Sequence, residues 1–293
     1  MLLDKILKSK FAPYLFFLPA GIILILFFFY PLIDVFKLSF TQYNIVTMPQ
    51  YVGLKNYQDL LSDKIFLLSL KNSLIYLIGV VPPLVIIPIF LAILVNNNIF
   101  GIKFFRAVFY MPVIISIVVI GIAWQWLYSE NGPLNYLLTS LLIVPNKINW
   151  LSDPNIALFS VMLVTVWRGL GYYMVIYLAG LQAIPRELYE VGEIDGANWI
   201  QKHLLITLPL LKSSIVFVAV VSSINALKVF VEIFIMTKGG PAHSSTTLVQ
   251  YIYEKAFEEL NLGYACTLGV LLFLFTFLFS ALNIRIIEKN WKT

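Results

Sequence analysis

The chain has 293 residues, of which 60% are hydrophobic and 12% are charged, and its formal net charge is +5. Soluble domains have about 25% charged residues, so this composition excludes an ordinary soluble protein and indicates an integral membrane protein. The Lys and Arg residues are spread among loops without forming a basic stripe, which argues against nucleic-acid binding. Cys266 is the only cysteine, so the chain has neither a disulfide framework nor a Cys-rich metal site.

Apolar windows long enough to cross a membrane recur along the whole chain. About 20 apolar residues span the hydrocarbon as a helix, and six windows meet this length. We therefore predict one all-α membrane domain over residues 1–293. Its predicted spans are 14–36, 73–95, 106–128, 156–181, 213–236 and 263–284. Lysines precede the first window as in a signal peptide, but its length and the absence of a cleavage site favour a retained helix.

Three prolines, Pro82, Pro83 and Pro88, interrupt the second window. Membrane helices tolerate proline where neighbouring groups satisfy the freed carbonyls. The pattern therefore predicts a kinked helix rather than a break.

The distribution of Lys and Arg predicts the orientation. Cytoplasmic segments of membrane proteins are enriched in these residues. With the N-terminus inside, the inner segments carry more of them than the outer loops. We therefore expect a multi-pass protein of a bacterial cell membrane with both termini in the cytoplasm.

The same topology places residues 182–212 in the cytoplasm, between the fourth and fifth spans. Leu188, Val191 and Ile194 recur at helical spacing, and Gly196 is expected to stop or bend that helix before a second helical piece. A plain connector needs fewer residues and no apolar stripe. We favour a docking surface for a cytoplasmic partner, with an ordinary solvated connector as the alternative.

One run of the sequence, IPRELYEVGEIDGANWIQKHLLITLPLL, resembles the cytoplasmic EAA loop of bacterial ABC importer permeases. Val191 and Gly192 replace the two alanines of that motif, and Lys212 replaces its trailing proline. The residues that match the motif are Glu190, Asp195, Gly196, Ala197, Ile206, Thr207, Leu208 and Pro209.

The resemblance extends along nearly the whole chain. Similar segments include FLPAGIILILFFFYPLIDVFKLSFTQYN, YVGLKNYQDLL, YLAGLQAIP, MTKGGPAHSSTTLVQYIYEKAF and LGYACTLGVLLFLF. They are similar to the carbohydrate-uptake branch, most of all to the larger maltose permease subunit and its glycerol-phosphate and oligosaccharide relatives. The chain has the length of the compact six-helix form.

The resemblance implies the type I ABC importer permease fold, with six transmembrane helices and a coupling-helix loop at 182–212. It also implies a heterodimer with a second permease chain, two cytoplasmic ATPase subunits and an extracellular or periplasmic solute-binding protein. ATP–Mg would be bound by the ATPase subunits and no cofactor by this chain. The sequence itself contains no G-x-x-x-x-G-K-[ST] phosphate-binding loop, so we expect a transport subunit and not an enzyme. Coupling to the ATPase is assigned to Leu188, Glu190, Val191, Asp195, Gly196 and Ala197.

Charged residues at membrane depth often mark a transport pathway because burying them in lipid is costly. Arg168 lies near the middle of the fourth window and either lines a sugar cavity or packs against carbonyls and carboxylates. Lys228 and Glu232 lie four residues apart in the fifth window, where one helix face would pair them. A mutually neutralising pair is favoured over direct sugar contact.

Uncharged polar residues are better candidates for contact with a sugar. Asn225, Ser222 and Ser223 offer hydrogen-bonding groups that match hydroxyls. Tyr172 and Tyr173 offer aromatic faces, although we expect only one of these neighbours to face a cavity. The predicted substrate pathway therefore consists of Arg168, Tyr172, Tyr173, Ser222, Asn225 and Glu232.

Together with these residues, the resemblance implies the permease subunit of a binding-protein-dependent, ATP-driven importer of an oligosaccharide or a related solute such as a glycerol phosphoester. One alternative is a secondary solute transporter, which would need a coupling carboxylate within the spans; only Glu232 is available. An intramembrane enzyme is disfavoured, because no Ser–His, paired-Asp or metal-binding pattern occurs at membrane depth.

Overall fold

The computed structural model describes residues 12–96 and 100–289, most of which are helical. A short antiparallel pair, β1 (Thr41–Gln42) and β2 (Gln50–Tyr51), follows the second helix. The α-helices, in chain order, are α1 Ala12–Leu24, α2 Tyr30–Leu38, α3 Lys55–Ser62, α4 Lys64–Val95, α5 Ile102–Ile114, α6 Ile117–Leu127, α7 Pro133–Ser140, α8 Ala157–Gln182, α9 Arg186–Ile194, α10 Trp199–Lys202, α11 Leu208–Leu210, α12 Lys212–Leu227, α13 Val231–Met236, α14 Leu248–Tyr253 and α15 Leu262–Lys289. The π-helical turns are Ile25–Phe29, His203–Thr207 and Glu254–Glu258.

The chain folds into two compact units. The smaller comprises the described part of Met1–Ser62 together with Ile252–Leu271. In it, the backbone carbonyl of Ser39, just after α2, accepts two hydrogen bonds from side chains. Asn56 Nδ2 donates one at 3.0 Å and Thr267 Oγ1 donates the other at 2.9 Å. These bonds tie α2 to α3 and to the start of α15.

The larger unit comprises Asp63–Tyr251 and the described part of Leu272–Thr293. Its core forms where α8 and α12 pack against α4. The hydroxyl groups of Tyr76 on α4 and Thr165 on α8 lie 2.6 Å apart and share a hydrogen bond within this packing. Buried core side chains include Tyr76, Val80, Val161, Met174, Tyr177 and Val218.

Four helical segments are long and apolar enough to cross a membrane: Tyr14–Leu38, Lys64–Val95, Ala157–Gln182 and Leu262–Asn283. Two further candidates are bent pairs of helices. α5 and α6 meet at 97°, and the segment Trp199–Leu210 meets α12 at 67°. Among the described residues the number of candidate spans therefore reaches six if each bent pair counts as one.

The three prolines of the second window do not break its helix. α4 runs without interruption through Pro82, Pro83 and Pro88. At its C-terminal end, Arg106 Nε donates a hydrogen bond to the backbone carbonyl of Val95 at 3.1 Å. The carbonyl groups in the last turn of a helix receive no hydrogen bond from the helix itself. The side chain of Arg106 supplies this hydrogen bond to Val95.

The third and fifth predicted windows each contain a break. In 106–128, Ile115 and Ser116 are extended and separate α5 from α6. In 213–236, α12 ends at Leu227 and α13 begins at Val231. Neither break contains glycine or proline, the residue types that disfavour a helix most. Hydropathy detects apolar length and does not detect whether the helix is continuous.

Candidate functional site

A cavity of about 440 Å³ lies within the larger unit, bordered by α4, α8, α12 and the segment that joins α12 to α13. The structure brings the whole predicted substrate pathway to this one cavity. The predicted residues that line it are Arg168, Tyr172, Tyr173, Ser222, Asn225 and Glu232. Their contact with a transported solute stays a prediction.

α8 supplies one wall of the cavity. Arg168 and Tyr172 lie four residues apart, so they share a helix face. Tyr173 also lines the cavity, and the prediction that only one of the two tyrosines would do so is wrong. Its ring is buried, but its hydroxyl is 3.5 Å from Asn225 Nδ2 on α12. The Tyr172 ring meets that of Tyr173 edge to face, with centroids 5.1 Å apart.

The charged groups of the cavity are not neutralised in direct pairs. Within the described residues, no salt bridge joins Lys228 to Glu232, so the predicted pair is not formed. The pairing rule holds for one continuous helix, whereas Lys228 ends α12 and Glu232 belongs to α13. Arg168 Nε is buried without a hydrogen-bond partner among the described groups. The cavity therefore presents two cations and one carboxylate without a direct ion pair.

The two serines of α12 have different positions. Ser222 lines the cavity, although its hydroxyl donates back to the carbonyl of Val218 at 2.6 Å. Ser223 is not among the lining residues and accepts a hydrogen bond from Asn283 Nδ2 at 3.0 Å. Ser223 therefore contributes to packing between α12 and α15.

The lining residues that sequence reasoning missed include Thr165 and Phe230. Thr165 precedes Arg168 by three positions on α8, which puts it on the same helix face. This spacing could have identified it. Phe230 lines the cavity because the chain leaves helical geometry after Leu227, with φ −142° and ψ −57° at Phe230 itself. No sequence signal marked that break.

The predicted coupling loop is a helix-turn-helix. α9 ends at Ile194, and Gly196 has φ +77°, the left-handed conformation that glycine adopts at low cost. Ala197 N–H donates to the carbonyl of Gly192 at 2.8 Å, and Gly196 N–H donates to that of Glu193 at 3.0 Å. This pair of bonds is a Schellman motif, which ends the helix and satisfies its last carbonyls.

Side-chain contacts hold the two helices of the loop together. The hydroxyls of Tyr189 on α9 and buried Thr207 share a hydrogen bond at 2.9 Å. Lys202 Nζ lies 2.6 Å from Glu193 Oε1. A Cβ added at Gly192 would lie 3.1 Å from Ile206 Cδ1, so glycine in place of alanine permits close packing here. The loop therefore forms one compact piece.

The apolar stripe of α9 faces away from the rest of the described chain. The exposed fractions of Leu188, Val191 and Ile194 are 42%, 54% and 85%. Glu190 and Asp195 are also exposed. Exposed apolar patches of this kind mark sites of interaction with another protein or with a membrane.

Apolar helices around a cavity that contains charged and polar groups, with a structured loop at one end of α8, are typical of a membrane transport subunit. Residues 69–291 match the family described as "Binding-protein-dependent transport system inner membrane component". The chain belongs to this family and is a multi-pass membrane protein.

Named relatives and a solved structure agree with this assignment. A probable ABC transporter permease protein of Pyrococcus horikoshii is 34% identical over 271 residues, covering 91% of this chain and 93% of the relative. The arabinooligosaccharides transport system permease protein AraP of Bacillus subtilis is 33% identical, covering 97% and 90%.

A chain in the crystal structure of a bacterial alginate ABC transporter, in complex with an alginate pentasaccharide-bound periplasmic protein, has the same fold. The TM-score is 0.85 at 23% identity, with 99% of this chain and 98% of that chain covered. The fold is therefore that of a type I ABC importer permease.

Proposed function

We propose that this chain forms the substrate pathway of an ATP-driven importer for an oligosaccharide or a related sugar-like solute. The observation that carries the proposal is the single cavity shared by Arg168, Tyr172, Tyr173, Ser222, Asn225 and Glu232. One relative is named for the transport of arabinooligosaccharides and the solved structure is of an alginate transporter, which supports the sugar class. ATP–Mg is bound and hydrolysed by partner ATPase subunits, and a solute-binding protein delivers the solute.

The cavity has the chemistry that a sugar requires. Tyr172 is 40% exposed and offers a ring face and a hydroxyl. Asn225 is exposed, and its amide both donates and accepts, as sugar hydroxyls do. Arg168 adds a donor that has no partner at Nε among the described residues.

The coupling loop transmits the ATPase cycle to the spans. We place this loop and both termini in the cytoplasm. Exposed Leu188 and Val191 insert into an apolar groove on an ATPase subunit, as amphipathic helices commonly do. Glu190 and Asp195 contact basic groups there, and Gly196 and Ala197 shape the turn. Because hydrogen bonds and an ion pair hold its two helices together, the loop moves as one body.

Replacing Asn225 with leucine tests the pathway. The change removes the amide from the cavity, and losing such hydrogen bonds to a desolvated solute lowers uptake by about tenfold. Uptake into proteoliposomes measures the effect, with complex yield and the binding protein's affinity for solute measured in parallel. Ser213→Leu is the matched control, because Ser213 is exposed near the start of the same helix and does not line the cavity. Unchanged uptake by Asn225→Leu removes Asn225 from the pathway.

A second permease chain is expected beside this one. Asn225 and Lys228 are exposed on the isolated chain at the predicted membrane depth, where contact with lipid is unfavourable. We therefore expect a pseudo-two-fold heterodimer whose partner covers them. Two differently tagged copies of this chain should fail to purify together, whereas the second permease co-purifies. A stable, transport-competent assembly containing only copies of this chain would contradict the heterodimer.

A further inference from the structure

Two cavities lie side by side next to the coupling loop, apart from the substrate cavity. The first has a volume of about 490 Å³ and is lined by polar groups of the loop and of the ends of α4 and α8. The second, of about 270 Å³, lies between α4 and the segment Trp199–Leu208. Both include Ile93, Trp199 and His203 in their walls, so the two cavities adjoin each other.

The polar cavity carries a net positive charge. Lys202 forms its ion pair with Glu193 at 2.6 Å, which leaves Arg186 as the cation of this cavity that has no salt bridge among the described residues. The side-chain amides of Asn96 and Gln182 also line it and offer further N–H donors. An arginine guanidinium commonly binds a phosphate group through two parallel N–H donors.

The second cavity is apolar apart from the shared histidine. Its walls are formed by aliphatic and aromatic side chains of α4, such as Ile86 and Phe90, and of the loop's second helix, such as Leu204. These three side chains are exposed on the isolated chain, at 52%, 58% and 56%. Trp199 is exposed between the two cavities, and tryptophan is enriched where a membrane meets water. The walls therefore suit a hydrocarbon chain that enters from the bilayer.

We propose that the two cavities together bind one anionic phospholipid of the cytoplasmic leaflet. Arg186 holds the headgroup phosphate, with the amides of Asn96 and Gln182, and an acyl chain lies along Phe90 and Leu204. Basic pockets at the cytoplasmic side of membrane helices bind anionic headgroups, and here the adjoining apolar wall adds a place for the tail. The proposal rests on the orientation given under the proposed function but not on the identity of the solute.

The test measures lipid retained by the intact transporter, purified after equilibration with equal amounts of phosphatidylglycerol and phosphatidylcholine. Native mass spectrometry counts each lipid per complex. The wild type retains phosphatidylglycerol in preference, and Arg186→Gln lowers that retention by roughly fivefold, the effect of one cation at the membrane surface. Lys103→Gln, the matched control, removes an exposed cation that lines neither cavity and leaves retention unchanged. Leu204→Trp fills the apolar cavity and lowers retention as well.

Three outcomes would overturn the proposal. Equal retention by Arg186→Gln and Lys103→Gln would show that the polar cavity holds no headgroup. Displacement of the lipid by millimolar glycerol phosphate alone would show that the apolar cavity holds no tail. If Leu204→Trp, or Ile86→Trp in its place, released a protein subunit without changing the lipid count, the occupant would be that subunit. Transport of solute by the wild type is a separate readout, so failure of the lipid site is distinguishable from failure of the proposed function.

Discussion

Replacing Gly171 with alanine is expected to prevent this chain from accumulating as a folded permease. Gly171 lies on α8 where α5 crosses it closely. A Cβ at this position would lie 2.0 Å from the backbone oxygen of Phe109 and 3.1 Å from Cα of Tyr110. A backbone cannot move aside as a side chain can, so the two helices would have to separate. Small residues at such crossings permit close approach of membrane helices, and overpacking costs about 1–3 kcal/mol or more.

The measurement is the yield of monodisperse protein after solubilisation, followed by its thermal unfolding. Gly269→Ala is the matched control: Gly269 also lies in an apolar membrane helix, but its added Cβ would approach Val35 only to 4.0 Å. That variant should match the wild type in both measurements. A Gly171→Ala protein with wild-type yield and stability would show that α5 and α8 do not pack this closely.

Replacing Gly196 with valine is expected to uncouple ATP hydrolysis from the binding protein, while the spans stay folded. Nothing lies within 4 Å of a Cβ built on Gly196, so space does not restrict this position. What restricts the choice of residue at this position is its backbone angle φ, which is +77°. An L-residue in this conformation costs roughly 1–2 kcal/mol, and β-branched residues cost more. The Schellman turn would open in most molecules, and the stimulation of ATP hydrolysis by the binding protein would fall about tenfold.

Stimulation of ATPase activity by the liganded binding protein, in reconstituted complexes, measures this coupling. Co-purification of the ATPase reports docking in the same preparations. Gly196→Asn should retain most of the stimulation, because asparagine adopts the left-handed conformation more readily. If Gly196→Val keeps full stimulation and uptake, residues 182–212 are an ordinary connector.

Much of the fold could be predicted from sequence because membrane spans are set by apolar length. Within the described residues, helix occupies most of each predicted window. The breaks at Ile115–Ser116 and between Leu227 and Val231 could not be predicted. Neither contains glycine or proline, and their residue types also occur within continuous helices elsewhere in the chain. Whether the chain stays helical at such positions depends on packing against neighbouring helices. A hydropathy profile does not measure that packing.

The candidate site could be predicted in composition but not in arrangement. The rule that polar residues at membrane depth mark a pathway selected six residues that share one cavity. The predicted Lys228–Glu232 pair failed because it assumed a helix that the chain does not continue. Ser223 was a false candidate because chemistry alone does not distinguish it from Ser222. The turn at Gly196 could be predicted because it depends only on the local backbone, which needs a residue that adopts positive φ at low cost.

The apolar stripe of α9 also affects how the transporter is made. Leu188, Val191 and Ile194 are exposed in a segment that the proposed topology places in water. If the proposed function holds, a newly synthesised subunit exposes this apolar surface to water until an ATPase subunit covers it. Excess copies would aggregate or be degraded through this segment. Balanced expression of the subunits would then limit the time for which this stripe is exposed, including Leu188 and Val191, which we propose to insert into the ATPase.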